Sequence, residues 1–292
     1  MSAHTTGEPT TGTLRVPGAT LHHEVRGSGP VLLLIPGGSA DAALFDAVTP
    51  VFTDRFTVVS YDPRGMSRSP LDGPPEDQRV ERHGEDAYRL LQEVAPDGAP
   101  ACVFGTSSGA IAALDLLARH PERLRRVVAH EPPLVELLPD AERHRALFAE
   151  VHAAYRREGV AAAMATMSAG TGGGERESER PAAGEGAQSP PADELPPHLA
   201  PMLSRMYANT PYFLEHILRQ FTSHVPDVAA LESVADRLVL AAGRESRGQL
   251  LRRPAALLAE RFGSAVAEFP GGHVGIAEHP AEFAEVLSAT LG

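Results

Sequence analysis

The chain has 292 residues, 42% of them hydrophobic, and a formal net charge of -12. That length suits one structural unit with a large core rather than several independent domains. The negative charge repels phosphate backbones and argues against nucleic-acid binding. No apolar run is long enough for a membrane span, and the N-terminus lacks a signal-peptide core, so a soluble cytoplasmic protein without a membrane partner is expected. The single cysteine, Cys102, lies in an apolar run and is predicted to be buried.

The sequence pattern up to Glu131 predicts an α/β fold. Residues 1–12 are polar and are expected to be disordered, whereas LRVPGATLHHEV alternates around a turn and predicts an antiparallel hairpin. Segments with helical periodicity then separate short runs that are apolar on both faces, namely VLLLIPG, FTVVSYD, ACVFGTS and RRVVAHE. This alternation predicts βαβ units in a mostly parallel sheet flanked by helices.

The rhythm of strands stops after Glu131 and resumes at RLVLAAG. The gap predicts a helical cap over residues 135–230, inserted between core segments 13–134 and 231–292. Within it, residues 170–197 are rich in Gly, Pro and charge, and we expect a flexible loop because they cannot bury enough apolar area to offset the entropy of ordering. AVAEFPG and a helix from about residue 280 complete the predicted core.

A candidate nucleophile stands between the third of these apolar runs and the helix after it. Gly105-Thr106-Ser107-Ser108-Gly109 matches G-x-S-x-G in the strand-turn-helix context that the motif requires. The two glycines leave room for a tight turn that exposes Ser107, and the helix N-terminus favours a developing oxyanion. The simpler alternative is a polar turn in which serine caps a helix.

The best placed general base among 13 histidines is His273. It follows a strand and two glycines, which puts an imidazole at the carboxyl edge of the sheet beside Ser107. His120, His130 and His279 belong instead to a helix end, a strand interior and a helix start. Two carboxylates could orient His273. One is Glu131, the last residue of RRVVAHE, and the other is Glu245, in the turn after RLVLAAG.

The order of elements, the serine turn and the late histidine resemble the α/β-hydrolase fold superfamily from about residue 13 to the end, apart from the insert. The resemblance implies an eight-stranded, mostly parallel sheet with a helical cap after strand 6, and chemistry without a metal or organic cofactor. The family's usual acid position after strand 7 holds Ser246 here. Haloalkane dehalogenases and mycotoxin lactonases place a glutamate after strand 6 instead, which favours Glu131 over Glu245.

The same resemblance implies an oxyanion hole formed by the backbone N–H groups of Ser108 and of Gly38, in Pro36-Gly37-Gly38-Ser39. The segment from Asp62 to Ser69 resembles the family's Asp-x-Arg-Gly-x-Gly-x-Ser turn, with Ser67 in place of a glycine, and is expected to brace nearby loops. Loops and cap could also line a substrate pocket, or in the cap simply form its core. These candidate pocket residues are Ser39, Met66, Pro132, Met202, Met206, Tyr207, Tyr212, Phe213 and Val274.

Together these residues predict hydrolysis of a carboxylic ester or lactone of a small apolar molecule through an acyl-serine intermediate. A serine at this position argues against epoxide and haloalkane hydrolysis, for which the resembling families use aspartate. The alternatives are carbon–carbon bond hydrolysis or a cofactor-free rearrangement on a natural-product scaffold, a proline aminopeptidase, and a non-catalytic ligand-binding homologue. A monomer or homodimer is expected.

Overall fold

An eight-stranded sheet forms the centre of the computed structural model, which describes residues 8–172 and 200–292. The strands are β1 (Thr10–Val16), β2 (Ala19–Gly27), β3 (Val31–Ile35), β4 (Thr57–Tyr61), β5 (Ala101–Thr106), β6 (Leu124–His130), β7 (Leu238–Gly243) and β8 (Ala267–Phe269). Their spatial order is β1-β2-β4-β3-β5-β6-β7-β8. The pairs β1/β2 and β2/β4 are antiparallel, and the other five pairs are parallel. The predicted fold class is confirmed.

The N-terminal hairpin begins earlier than the sequence indicated. Thr10 pairs with Val25 and Gly12 with His23, so residues 10–12 belong to β1 rather than to a disordered tail. Their side chains are mostly exposed, and main-chain pairing with β2 stabilises this end of the strand without apolar burial. Of the remaining residues of the expected tail, 1–7 lie outside the described part of the chain.

Helices cover both faces of the sheet. They are α1 (Val80–Val94), α2 (Ser108–Arg119), α3 (Ala141–Glu158), α4 (Val160–Thr171), α5 (Ala200–Tyr212), α6 (Leu218–Thr222), α7 (Val228–Ser233), α8 (Arg253–Arg261), α9 (Gly275–Glu278) and α10 (Pro280–Leu291). Alternate residues along the strands enter separate clusters: Leu33 and Val103 pack with α1, α2 and α8, whereas Leu32 and the buried Cys102 pack with α10. Strands apolar on both faces therefore read as continuous apolar runs.

Helices α3 to α7 lie between β6 and β7, where the fold prediction placed the insertion. Gly170 and Thr171, expected in a flexible loop, form the last turn of α4. The rest of that expected loop, from residue 173, lies outside the described residues, and the limits of the cap stay a proposal. Within residues 8–172 and 200–292, no helix combines the length and apolar character needed to cross a membrane.

Candidate active site

Ser107 stands at the tip of a strained turn between β5 and α2. Its φ of 54° and ψ of -126° are unfavourable for a residue with a Cβ, and its N–H donates to the His130 carbonyl at 2.9 Å. A Cβ at Gly105 would lie 2.5 Å from the Gly109 carbonyl oxygen, and one at Gly109 would lie 2.4 Å from the Ile35 carbonyl oxygen. The two glycines of the motif therefore allow strand, helix and neighbouring loop to meet.

Glu131 follows β6 and is completely buried, and it too has a positive φ, 46°. One carboxylate oxygen, Oε2, lies 2.7 Å from His273 Nδ1, and the other, Oε1, accepts the Gly243 N–H at 2.9 Å. The Glu131 N–H donates to the Ala241 carbonyl at 2.9 Å. Both ends of the residue are thus held by groups on the same edge of the sheet.

The environment of Glu131 keeps its carboxylate ionised. Burial would raise its pKa, but the hydrogen bond and charge interaction with His273, together with His130, outweigh burial and lower the pKa to about 2. A charged acceptor on Nδ1 assigns the imidazole proton to that nitrogen and leaves Nε2 as the proton acceptor. This is the orientation that a general base requires.

His273 lies in the loop between β8 and α9, and its side chain is about one-quarter exposed, at 24%. A Cβ at Gly243 would lie 2.5 Å from the Gly271 carbonyl oxygen, so this loop is pressed against the end of β7. No hydrogen bond joins Ser107 Oγ to His273 Nε2 within the described residues, and such bonds are often long before a substrate binds.

Glu245, the alternative acid, lies at the same edge in a different arrangement. Its side chain is exposed, and its backbone N–H donates to the Gly271 carbonyl at 2.9 Å. Since Glu131 occupies Nδ1 of His273, the geometry favours Glu131. Among the other histidines, His130 is buried against the rings of Phe104, Phe269 and Phe283.

The two predicted oxyanion donors lie together, with one difference from expectation. Gly38 has a φ of 60°, and its N–H donates to Ser108 Oγ at 2.9 Å, so the N–H already has a partner. A Cβ at Gly37 would lie 2.2 Å from the Thr106 carbonyl oxygen and 2.7 Å from Ser107 Cβ. The glycine pair therefore brings the loop after β3 into contact with the serine turn.

The candidate pocket residues do not share one environment. Met66 is buried and lines, with Gly38 and Ser108, a cavity of about 10 Å³ behind the loop after β3. Pro132 and Phe213 are buried, Ser39, Met202, Met206 and Tyr212 are half-buried, and Tyr207 and Val274 are 46% and 55% exposed. A larger hollow of about 280 Å³ between α3 and α6 contains none of the predicted site residues.

Three polar residues close to the site were not anticipated: Asp41, Arg205 and Asn209. Asp41 and Asn209 are buried, and they join the loop after β3 to the helix α5 through hydrogen bonds. Each is an ordinary polar residue in sequence, with no motif around it. Their relation becomes visible only when α5, more than 160 positions away along the chain, lies against this loop.

Comparison of the whole chain with known proteins finds hydrolases among its relatives. A family model described as alpha/beta hydrolase fold matches residues 30–169. The uncharacterized hydrolase YraK of Bacillus subtilis (strain 168) is 37% identical over 285 residues, which cover 96% of this chain and 95% of YraK. A zearalenone hydrolase of Bionectria ochroleuca is 34% identical over 117 residues, which cover 40% of this chain and 44% of the length of that hydrolase.

Solved structures agree with this fold. A hydrolase from Pseudomonas aeruginosa PA01 superposes with a TM-score of 0.70 at 22% identity, covering 97% of this chain and 98% of that one. Est816, described as an N-acyl homoserine lactone degrading enzyme, has a TM-score of 0.69 at 20% identity, covering 95% of this chain and 99% of its own. Identities this low establish a common fold without a common substrate.

Proposed function

The chain belongs to the α/β-hydrolase fold superfamily and is a hydrolase, and on this basis we propose that it cleaves a carboxylic ester or lactone of a small apolar molecule through an acyl-serine intermediate. The observation that carries the proposal is the 2.7 Å contact between His273 Nδ1 and the buried Glu131 carboxylate, on the sheet edge where the Ser107 turn lies. A buried charged acceptor behind a histidine is the arrangement that activates a serine.

The reaction then proceeds in two halves. Ser107 Oγ attacks the carbonyl carbon while His273 Nε2 takes the hydroxyl proton, and the negative oxygen accepts hydrogen bonds from the N–H groups of Ser108 and Gly38. The protonated imidazole returns the proton to the leaving alcohol oxygen. Water, deprotonated by His273, attacks the acyl carbon, and the bond to Ser107 Oγ breaks as the imidazole returns that proton to Oγ and the acid is released. Gly38 N–H must turn from Ser108 Oγ toward the oxyanion or be shared between them.

The relatives support an ester or lactone bond as the target. One is named a zearalenone hydrolase, and a structural neighbour is described as degrading an N-acyl homoserine lactone. Beside its polar contacts with the loops, the cap also carries apolar and aromatic side chains, such as Met206 on α5 and Phe213 in the π-helical turn Phe213–Ile217 that continues α5. An adaptable apolar lining suits an uncharged substrate.

The experiment measures hydrolysis of p-nitrophenyl butyrate, acid release from δ-decalactone, and mass increase with a fluorophosphonate. Wild type is expected to turn over and to gain one adduct, and Ser107→Ala to lose both. Ser223→Ala, at an exposed serine, serves as the matched control and should retain both. A folded wild type that neither hydrolyses nor labels would reject the acyl-serine mechanism.

A further inference from the structure

A cluster of polar side chains connects the cap helix α5 to two loops of the core. It consists of Arg205, Asn209 and Thr210 on α5, Ser39 and Asp41 after β3, and Ser67 after β4; we name these six residues the α5–loop cluster. Asn209, Thr210 and Asp41 are buried, with exposures of 5%, 5% and 2%. Buried polar groups of this kind are stabilising only when they are fully bonded, so their geometry is specific.

Asn209 bonds to both loops at once. Its Oδ1 accepts the Ser67 N–H at 2.8 Å, while its Nδ2 donates to the Ser39 carbonyl at 3.0 Å and to Ser67 Oγ at 2.8 Å. The backbone donor of Ser67 and the backbone acceptor of Ser39 fix the orientation of the amide, because exchanging O and N would break both bonds. One side chain thus sets the distance between the two loops.

Ser67 is held in a strained conformation by these contacts. Its φ is 46°, in the left-handed region that favours glycine, and its Oγ donates to Asp41 Oδ2 at 2.9 Å while accepting from Asn209. A serine here costs conformational energy that the surrounding bonds must offset. The strained conformation of Ser67 is therefore maintained by hydrogen bonds that require α5 to be docked.

Asp41 and Arg205 extend the cluster. Arg205 Nε lies 2.5 Å from Asp41 Oδ2, and Asp41 Oδ1 accepts the Ala43 N–H at 3.0 Å. Burial would raise the pKa of Asp41, but the bonds from Arg205 and Ser67 outweigh it and lower that pKa. The carboxylate of Asp41 thus stays charged at the end of the loop after β3.

The contacts at Ser39 act next to the predicted oxyanion donor. Thr210 Oγ1 donates its one proton to the Met206 carbonyl at 2.8 Å and so accepts from Ser39 Oγ at 3.2 Å. Ser39 is therefore held by α5 through both its carbonyl and its hydroxyl. Its neighbour Gly38 has no side chain of its own to hold it and occupies a positive φ.

We propose that Asn209 is a positioning residue, which holds the oxyanion loop of residues 36–41 in the orientation needed for catalysis while α5 is docked on the core. The inference rests on the proposed function, since it concerns the donor Gly38. It also predicts that cap docking and formation of the oxyanion hole are coupled, because the same amide makes both contacts.

The test compares wild type with Asn209→Leu, which preserves most of the volume and removes every hydrogen bond of the amide. We expect kcat for p-nitrophenyl butyrate to fall by about tenfold or more, because a misplaced oxyanion donor approaches the loss of a donor, which costs about 10²–10³. KM should change by less than about threefold, because the contact acts on the transition state. Amide hydrogen exchange in residues 36–41 should accelerate.

Gln220→Leu is the matched control. Gln220 Nε2 donates to Asp77 Oδ2 at 2.7 Å, which is also a contact between a helix of the insertion and a core loop, but one outside the α5–loop cluster. This variant should have the wild-type kcat and the wild-type rate of amide hydrogen exchange in residues 36–41. Thr210→Val, which removes the hydroxyl that contacts Ser39 Oγ and the Met206 carbonyl of its own helix, is the second variant if Asn209→Leu does not fold; a several-fold loss of kcat with faster amide exchange at residues 36–41 is expected.

The outcomes separate the two proposals. Unchanged kcat and unchanged exchange in the Asn209 variant would overturn the positioning role, and a rise in KM alone would make α5 a substrate contact and overturn it as well. If wild type hydrolyses no ester and takes no fluorophosphonate, the proposed function fails. Exchange at residues 36–41 then still decides whether Asn209 holds the loop.

Discussion

At the scale of single residues, Glu131 shows how a strained position is maintained. A positive φ costs a residue with a Cβ about 1–3 kcal/mol. Glu131 retains it because its N–H and both carboxylate oxygens are bonded, to Ala241, Gly243 and His273. The position is therefore set by these hydrogen bonds rather than by backbone preference, and a smaller or uncharged residue would lose contacts that offset the strain.

The first prediction concerns Glu131→Gln, which keeps the shape and removes the charge. We expect kcat to fall by about 10³–10⁴, because the imidazole loses the negatively charged acceptor that fixes its tautomer and stabilises its protonated form. Steady-state hydrolysis of p-nitrophenyl butyrate measures the change. Glu245→Gln makes the same chemical change at the alternative acid and should stay within about twofold of wild type. Equal losses in the two variants would contradict the assignment.

At the scale of elements, the turn from β5 to α2 depends on close backbone contact. Gly109 is helical, and alanine there would by propensity stabilise a helix by about 1 kcal/mol. Steric overlap opposes this gain, because a Cβ at Gly109 would lie 2.4 Å from the Ile35 carbonyl oxygen and 2.5 Å from the Pro36 carbonyl oxygen. Neither oxygen belongs to a flexible side chain, so α2 or the oxyanion loop must shift.

The second prediction is that Gly109→Ala is destabilising and lowers activity together. Overpacking of this kind costs about 1–3 kcal/mol, which exceeds the gain in helix propensity. Thermal unfolding and kcat for p-nitrophenyl butyrate measure the two effects. Gly73→Ala is the control: no atom lies within 4 Å of a Cβ there, and its φ is not positive. A Gly109 variant as stable and as active as this control would contradict the close contact.

At the scale of the whole molecule, the buried side chains of His130 and His83 must stay neutral in the folded protein. Burial lowers the pKa of His130 to about 4 and that of His83 to about 3. Their ordinary value is 6.5, so the unfolded chain binds more protons than the folded protein between pH 6.5 and about 4. Stability must therefore fall as pH decreases through this window. The lowered pKa of Glu131 reduces stability only at more acidic pH, between pH 4.5 and about 2, where its carboxylate becomes protonated.

The third prediction is a melting temperature that falls between pH 7 and pH 5 and falls less steeply in His130→Leu. Below its unfolded pKa, each buried histidine lowers the free energy of unfolding by about 1.4 kcal/mol per pH unit. The loss is about 2 kcal/mol at pH 5. Scanning calorimetry at both pH values measures the slope. His279→Gln removes an exposed histidine and should keep the wild-type slope. An unchanged slope in the His130 variant would show that its burial does not control acid stability.

The sequence by itself determined the fold class, the Ser107 turn and the neighbourhood of His273, because strands buried on both faces and a glycine-flanked serine leave a local pattern. It predicted both Glu131 and Glu245 as possible acids, since each follows a strand at the same edge. Only the tertiary structure decided between their contacts, through the 2.7 Å bond to His273. The bonds of Gly38 N–H and Asn209 were also decided there, because they join residues 70 and 170 positions apart. No local pattern records a contact that exists only once the chain has folded.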